Sequence, residues 1–264
     1  MISTTTWSDS GIPGHDVTST TRGELLGAKL RVTSSGVGAA FGNYIILDSA
    51  ASTITTVYPK GKLVLTSSWS KPARGASPLI TMEAHMDSGY TVEDLGRGEP
   101  ILGHTTHRYS ETLGYELRVA AGSDTCRRHR RIVTELWVTP DTRVPDIEAA
   151  TKRLSSLPTP MLGSDVTRIL AEKRGEKIQG VLLKRTSTIH DSAGHGDPVV
   201  THARWEVTEV KHALIDPADF RVPAGYKSED IRKLAPRVDS SMRSAAALEA
   251  AKQVFRRMCG QGSA

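Results

Sequence analysis

A beat of about ten residues runs through this chain and narrows the folds open to it. Short runs rich in β-branched and aromatic side chains recur at 25–32, 44–48, 53–58 and 62–66, separated by turn formers such as Pro59-Lys60-Gly61. Runs this short at this spacing predict a meander of antiparallel strands. The beat continues at 78–87, 104–111, 115–121 and 131–138, and hairpins are predicted at 48–52 and 112–114. Residues 1–22 are rich in Ser, Thr, Gly and Asp, which bond to their own backbone, so they predict an extended, loop-like lead-in.

The period then changes. Ile147, Ala150, Leu154 and Leu157 form one stripe of a helix bounded by Pro145 and Pro158. A second short helix is expected with Ser164 or Asp165 as cap, Val166, Ile169 and Leu170 facing inward, and Gly175 as its stop. Strands return at 178–189 and 199–213, where Ala203, Trp205 and Val207 alternate with Arg204, Glu206 and Thr208. The tail 240–258 predicts a third helix with Leu248, Ala251, Phe255 and Met258 as its apolar stripe, and Arg243, Lys252, Arg256 and Arg257 elsewhere around it. That stripe needs a partner surface, either the protein's own body or another protein or anionic membrane. Three segments follow: a lead-in over 1–22, one domain over 23–232 and a helical extension over 233–264. Many consecutive strands interrupted once by helices make an α+β pattern.

With 264 residues, 38% of them hydrophobic, the chain can build a true core and is excluded from the disordered class. It carries 34 Lys and Arg against 29 Asp and Glu, a net charge of +5. This favours an acidic protein surface or a lipid head-group layer. The excess is not gathered into a nucleic-acid-binding motif, and aromatic residues are only 5%, so nucleic acid is not an expected partner. No run reaches the roughly 20 apolar residues of a membrane helix. The opening MISTTTWSDS lacks a basic segment followed by an apolar one, so the numbering suits a cytosolic protein or a mature secreted form. Cys126 and Cys259 are the two cysteines. They either pair in an oxidising compartment, tying the C-terminal segment to the body, or are unrelated thiols.

Several motifs resemble a known family. Val92-Glu93-Asp94-Leu95-Gly96, then Pro100-Ile101-Leu102-Gly103-His104 with Tyr109, then Glu135-Leu136-Trp137-Val138, and finally the stretch from Ile215 to Lys227 containing Phe220, Pro223, Gly225 and Tyr226, are similar to an uncharacterised bacterial envelope domain. That domain is similar in fold to the outer-membrane lipoprotein carriers and receptors. The resemblance spans roughly residues 22–230 and centres on a Phe-x-Val-Pro-x-Gly-Tyr ending. It implies a strongly curved antiparallel sheet, a half-open barrel, with helices on the concave side, a periplasmic location and a concavity suited to acyl lipid or lipoprotein. The wording resembles members from Gemmatimonas-type bacteria, where an extrinsic subunit on a photosynthetic reaction-centre complex would be one instance. Trp137, Phe220, Pro223, Gly225 and Tyr226 are read as structural: Pro223 fixes one dihedral, Gly225 permits a turn, and the aromatic rings anchor the last strand.

Few constellations offer chemistry. Glu83, His85 and Asp87 share one face of a strand and are weak metal-ligand candidates, with Met82, Ala84 and Met86 on the other face. His104 and His107 fall on opposite faces if extended. His190, Asp191, His195 and Asp197 are expected in a polar loop. Arg127, Arg128, Arg130 and Arg131 form a basic run fit to grip phosphate or carboxylate. No nucleophile elbow, phosphate loop or dinucleotide fingerprint is present, and no catalytic residue or cofactor is assigned. The expected function is a non-enzymatic extrinsic subunit on the periplasmic side of a membrane protein assembly, contacting it through the basic run and through Arg243, Leu248, Lys252, Phe255, Arg256 and Arg257. The alternatives are a periplasmic carrier or chaperone for lipid or lipoprotein, and a metal-dependent enzyme.

Overall fold

The structure, a computed structural model, describes residues 2–9, 17–36, 43–68, 80–141, 174, 177–193, 199–211, 213–230, 249, 251–253, 255–256 and 259. Twelve strands are formed: β1 (Ile2–Asp9), β2 (Val17–Leu26), β3 (Lys29–Gly36), β4 (Tyr44–Asp48), β5 (Thr53–Tyr58), β6 (Leu63–Ser68), β7 (Thr81–Arg97), β8 (His107–Ala121), β9 (Asp124–Thr139), β10 (Val181–Ala193), β11 (Val199–Lys211) and β12 (Lys227–Asp230). They make one sheet in the order β12-β6-β5-β4-β3-β2-β1-β11-β10-β9-β8-β7. Every pairing is antiparallel except that of β12 with β6. Among the described strands β12 and β7 end the order, so the sheet is open. A twisted sheet of this many strands curls rather than lying flat.

The meander is as the ten-residue beat implies, but three local readings change; the run expected as one strand at 25–32 is split by a turn at Gly27 and Ala28 between β2 and β3, where Gly27 takes φ +57°. The expected lead-in contains β1, which lies between β2 and β11 in mid-sheet; its Ser and Thr side chains do not prevent pairing, because both neighbours complete its backbone hydrogen bonds. The hairpin expected at 112–114 is absent. β8 runs straight through, with Leu113 and Gly114 buried, because β7 and β9 pair with it on both edges and a glycine in that setting need not turn. The irregularity sits opposite, in β7, where the register slips between Met86 and Tyr90 and Gly89 takes φ +78°. The turn at 48–52 does form: Asp48 Oδ1 accepts the Ala51 N–H at 3.0 Å and Ser52 is left-handed.

The described residues are dominated by strand, not the mixed pattern expected. The helices expected at 147–157 and 164–175, and with them the placing of helices on a concave side, lie outside the described residues. Arg174 and Lys177 alone of that region are described, and both are helical. In the C-terminal tail Glu249, Ala251, Lys252, Gln253, Phe255, Arg256 and Cys259 are helical, while Arg243, Leu248, Arg257 and Met258 are outside the described residues.

Cross-strand register sorts the core by face, since side chains alternate along each strand. One face carries Glu111, Leu113, Tyr115, Leu117, Val119 and Ala121 of β8, and Phe255 packs against this cluster together with Met82, Ala84 and Met86 of β7. Further along, Leu136, Val138 and Leu182 group with Tyr109, Ile178 and Trp205. Beyond β1, Leu30, Val32, Leu47 and Ile54 group with Leu25 and Ile45. We call the face on which Phe255 lies the inner face.

Candidate functional site

The inner face over β7 to β10 is apolar with two polar islands. Leu113, Leu117 and Val119 are buried, and Met82, Ala84 and Met86 are half-buried beside them. The first island is Glu111, buried at 5% exposure. Its Oε2 accepts from the Tyr90 hydroxyl at 2.8 Å and from Arg174 Nε at 3.0 Å, while Arg174 Nη2 reaches Oε1. Burial, and then the carboxylate beside it, push the Tyr90 hydroxyl far above its usual range, so it stays protonated and donates. A carboxylate taken out of water needs such a set of donors.

The second island is Asp191, at 8% exposure. Arg128 Nε donates to its Oδ1 at 2.9 Å, Arg130 Nε to its Oδ2 at 3.2 Å, and Arg130 Nη2 also reaches Oδ2. Arg130 Nη1 donates to the Tyr115 hydroxyl at 3.3 Å, and the Arg130 guanidinium lies 6.0 Å from the Tyr115 ring centroid. Burial alone would lower the Arg130 pKa, but the hydrogen bonds to and charge interactions with Asp191 and Tyr115 together outweigh it and raise it. Register explains the meeting: Tyr115, Arg130 and Asp191 are successive partners on one rung across β8, β9 and β10.

The basic run is therefore not one patch. Strand alternation sends Arg128 and Arg130 inward to Asp191, and turns Arg127 and Arg131, both exposed, to the other face with His129. Arg127 Nε there lies 3.7 Å from Glu116 Oε1. Asp191 and His190 belong to β10 rather than to a loop, because Arg130 and Arg131 of β9 pair with them; His195 and Asp197 lie outside the described residues. Glu83 and His85 are exposed and pair in register with Arg118 and Glu116, with Met82, Ala84 and Met86 turned to the core, as expected of a solvated strand face. The Asp87 side chain lies outside what the structure describes. Among the described residues no group of three metal-ligating side chains occurs. His104 Nδ1 meets Asp141 Oδ2 at 2.9 Å and His107 Nε2 meets Asp94 Oδ1 at 2.5 Å, each with its own carboxylate.

The tail helix docks on its own body at two described points. Phe255 is 2% exposed within the β8 cluster, and Cys259 forms a disulfide with Cys126 of β9, with Cα atoms 6.0 Å apart. Phe255 is thus a core residue and not a contact for a partner, while Lys252 is half-buried and Arg256 exposed. Trp137 is buried between the Arg108 guanidinium, 5.5 Å from its ring centroid, and Lys184 Nζ at 4.3 Å. Phe220 is buried at the end of a 3-10 turn, Pro217–Phe220, which Asp216 caps by accepting the Ala218 N–H. Pro223 and Tyr226 are half-buried, and Gly225 takes φ +79° just before β12. Sequence reasoning missed Glu111, Arg174, Tyr90 and Tyr115. The pairing of Arg128 and Arg130 was readable from period two; their shared carboxylate, 61 and more residues away, was not.

No family model matches the chain and no curated protein matches it. Among solved structures, the chain is similar to an uncharacterized conserved protein from Thermus thermophilus at 10% identity and a TM-score of 0.35, over 87% of this chain and 90% of that one. It is similar to a LolA superfamily protein from Nitrosomonas europaea at 9% identity and a TM-score of 0.30, over 83% of this chain and 89% of that one. Overlaps this loose establish neither family nor activity, and the Phe-x-Val-Pro-x-Gly-Tyr ending carries no family assignment.

Proposed function

We propose that the protein is a non-enzymatic carrier of the bacterial periplasm that holds a lipid, or the acyl part of a lipoprotein, against the inner face of its sheet. The observation that carries this reading is the apolar row of Met82, Ala84 and Met86, only half-buried along β7, the last strand of the sheet order, beside a β8 cluster that the protein's own side chains already cover. Apolar area of that kind favours acyl chains simply by taking their surface out of water, and methionine adapts its shape to what it meets. The Cys126–Cys259 disulfide supports an oxidising compartment, since such bonds persist outside the cytosol. The ionisable groups inside are engaged with one another, Glu111 with Tyr90 and Arg174, Asp191 with Arg128 and Arg130, which favours binding over acid–base work.

A second reading, an extrinsic subunit on a membrane protein assembly such as a photosynthetic reaction centre, is favoured by Val199 and Val200, 55% and 40% exposed at the start of β11, and by outward Arg127 and Arg131. Native mass spectrometry of the protein isolated gently from its own cells separates the two. The carrier reading expects a soluble species with a mass excess of one or more acyl lipids. Recovery in a stoichiometric membrane complex, without bound lipid, would replace it with the second reading.

A further inference from the structure

The outer face of the sheet, opposite the one on which Phe255 lies, is charged where the inner face is apolar. Near the turn between β8 and β9, strand alternation places on it His85 of β7, Arg118 of β8, Arg127, His129 and Arg131 of β9, and His190 of β10. His190 is half-buried and the other five are exposed, with the Arg127 and His129 side chains at 71% and 61%. Two carboxylates share this region: Glu83 opposite Arg118, and Glu116 in register between His85 and His129. Glu116 Oε1 lies 3.7 Å from Arg127 Nε and its Oε2 lies 3.9 Å from His129 Nε2. His190 faces Arg131 on one side and Val200 on the other. Among these side chains three arginines and two glutamates leave one positive charge while the histidines are neutral, and each histidine that gains a proton adds another.

The register sets like charges against each other. Arg118 lies directly opposite Arg127, and Arg131 lies directly opposite His190, which joins the repulsion once its ring is charged. Opposed side chains of antiparallel strands have Cβ atoms about 4.5–5.5 Å apart, where like charges are destabilising. A phosphate oxygen between two guanidinium groups relieves that repulsion, and the planar fork of arginine matches its geometry.

The layout also selects the kind of anion. Neighbouring strands are about 4.8 Å apart and alternate residues about 6.6 Å apart, so the charges form a grid on one side of the sheet and do not converge on a point. No Phe, Tyr or Trp ring stands among them to stack on a base. Val200, 40% exposed, adds an apolar side chain beside His190. Such a grid suits a layer of anionic head-groups, each able to move to the side chain it meets.

We propose that this face docks the protein on an anionic lipid membrane, and that acidification tightens the docking by charging His85, His129 and His190. Histidine side chains gain their charge between about pH 8 and pH 5. The inference stands apart from the carrier reading, which concerns the inner face, so either can fail without the other.

The test is flotation of the full, oxidised chain with vesicles of phosphatidylcholine, alone or with about 30% phosphatidylglycerol, at about pH 7.5 and about pH 5.5. Circular dichroism checks the fold at each pH. The expected result is binding to the anionic vesicles only, at least about tenfold tighter at the lower pH and weakened by added salt. Arg127→Gln combined with Arg131→Gln weakens binding at both pH values. His85→Gln, His129→Gln and His190→Gln together keep the affinity at the higher pH and remove the gain at the lower. Equal binding to both kinds of vesicle overturns the proposal, as does anionic binding that both variants retain in full, since the contact then lies on another face. Binding of polyglutamate with neither vesicle bound overturns the lipid partner in favour of an acidic protein. The lipid and salt comparisons on the wild-type chain need no variant, so they decide the matter even if a variant does not fold.

Discussion

At the residue scale, short polar side chains set the turns. Asp94 Oδ1 accepts the Gly96 N–H at 2.7 Å and meets His107 Nε2, and these two bonds, the backbone one first, hold its carboxyl below the usual range. A carboxyl depressed on folding contributes stability above its unfolded pKa of about 3.9, and that contribution is lost as the pH falls through the folded value. Asp94→Ala should therefore melt below the wild-type chain at neutral pH, with the gap narrowing under strong acid. Thermal melts followed by circular dichroism across that range check it; a gap independent of pH would assign the loss to packing instead. Glycine is required at Gly180, where φ is +119° and an added Cβ would lie 2.4 Å from the Thr139 carbonyl oxygen. The alternation of Glu83 and His85 with Met82 and Met86 was legible in sequence, because strand geometry alone dictates it. The partners of Arg128 and Arg130 were not, because Asp191 arrives on another strand.

At the element scale, the tail helix is held, among the described residues, by buried Ala251 and Phe255 and by one disulfide. The apolar stripe predicted its amphipathic character, and Phe255 meets that expectation by entering the β8 cluster. Pairing of Cys126 with Cys259 was one of two open readings, and the structure makes the bond across a separation of 133 residues. Closing a loop of that size removes much of the unfolded chain's freedom, so reduction should cost about 2–5 kcal/mol. Urea denaturation with and without reductant measures this. A midpoint unchanged by reductant, in a chain shown by mass to be reduced, would mean that the disulfide adds nothing to what packing supplies. β8 teaches the opposite lesson: Thr112-Leu113-Gly114 has the composition of a turn, yet flanking strands on both edges keep it extended.

On the scale of the whole molecule, the stretch after β11 returns the chain to the far end of the sheet. Asp219 approaches Arg31 of β3 at 3.9 Å, Phe220 is buried at 5% exposure, and β12 then pairs with β6 through the Lys227 N–H and the Lys62 carbonyl at 2.8 Å. Arg31 also covers the Tyr44 ring at 4.5 Å and pairs with Glu24. Phe220→Ala should destabilise by about 3–5 kcal/mol, the usual cost of emptying a buried phenylalanine site. Chemical denaturation reads the loss, and hydrogen exchange should show β12 and β6 opening before β8 and β9. Uniform loss of protection across all twelve strands would argue that the two ends of the sheet unfold as one unit.

Local sequence was enough to specify the antiparallel meander, the turns at 48–52 and 59–61 and the alternation within strands. These depend on the two-residue period and on local dihedrals, which neighbouring residues specify. Tertiary structure alone set β1 between β2 and β11, pairing Ile2 with Lys211. It also brought Glu111 to Arg174, and divided a run of arginines between two faces around a single aspartate. Such pairings join strands far apart in the chain. They are selected by the burial and charge balance of the whole sheet, and no local stretch of sequence carries the identity of its distant partner.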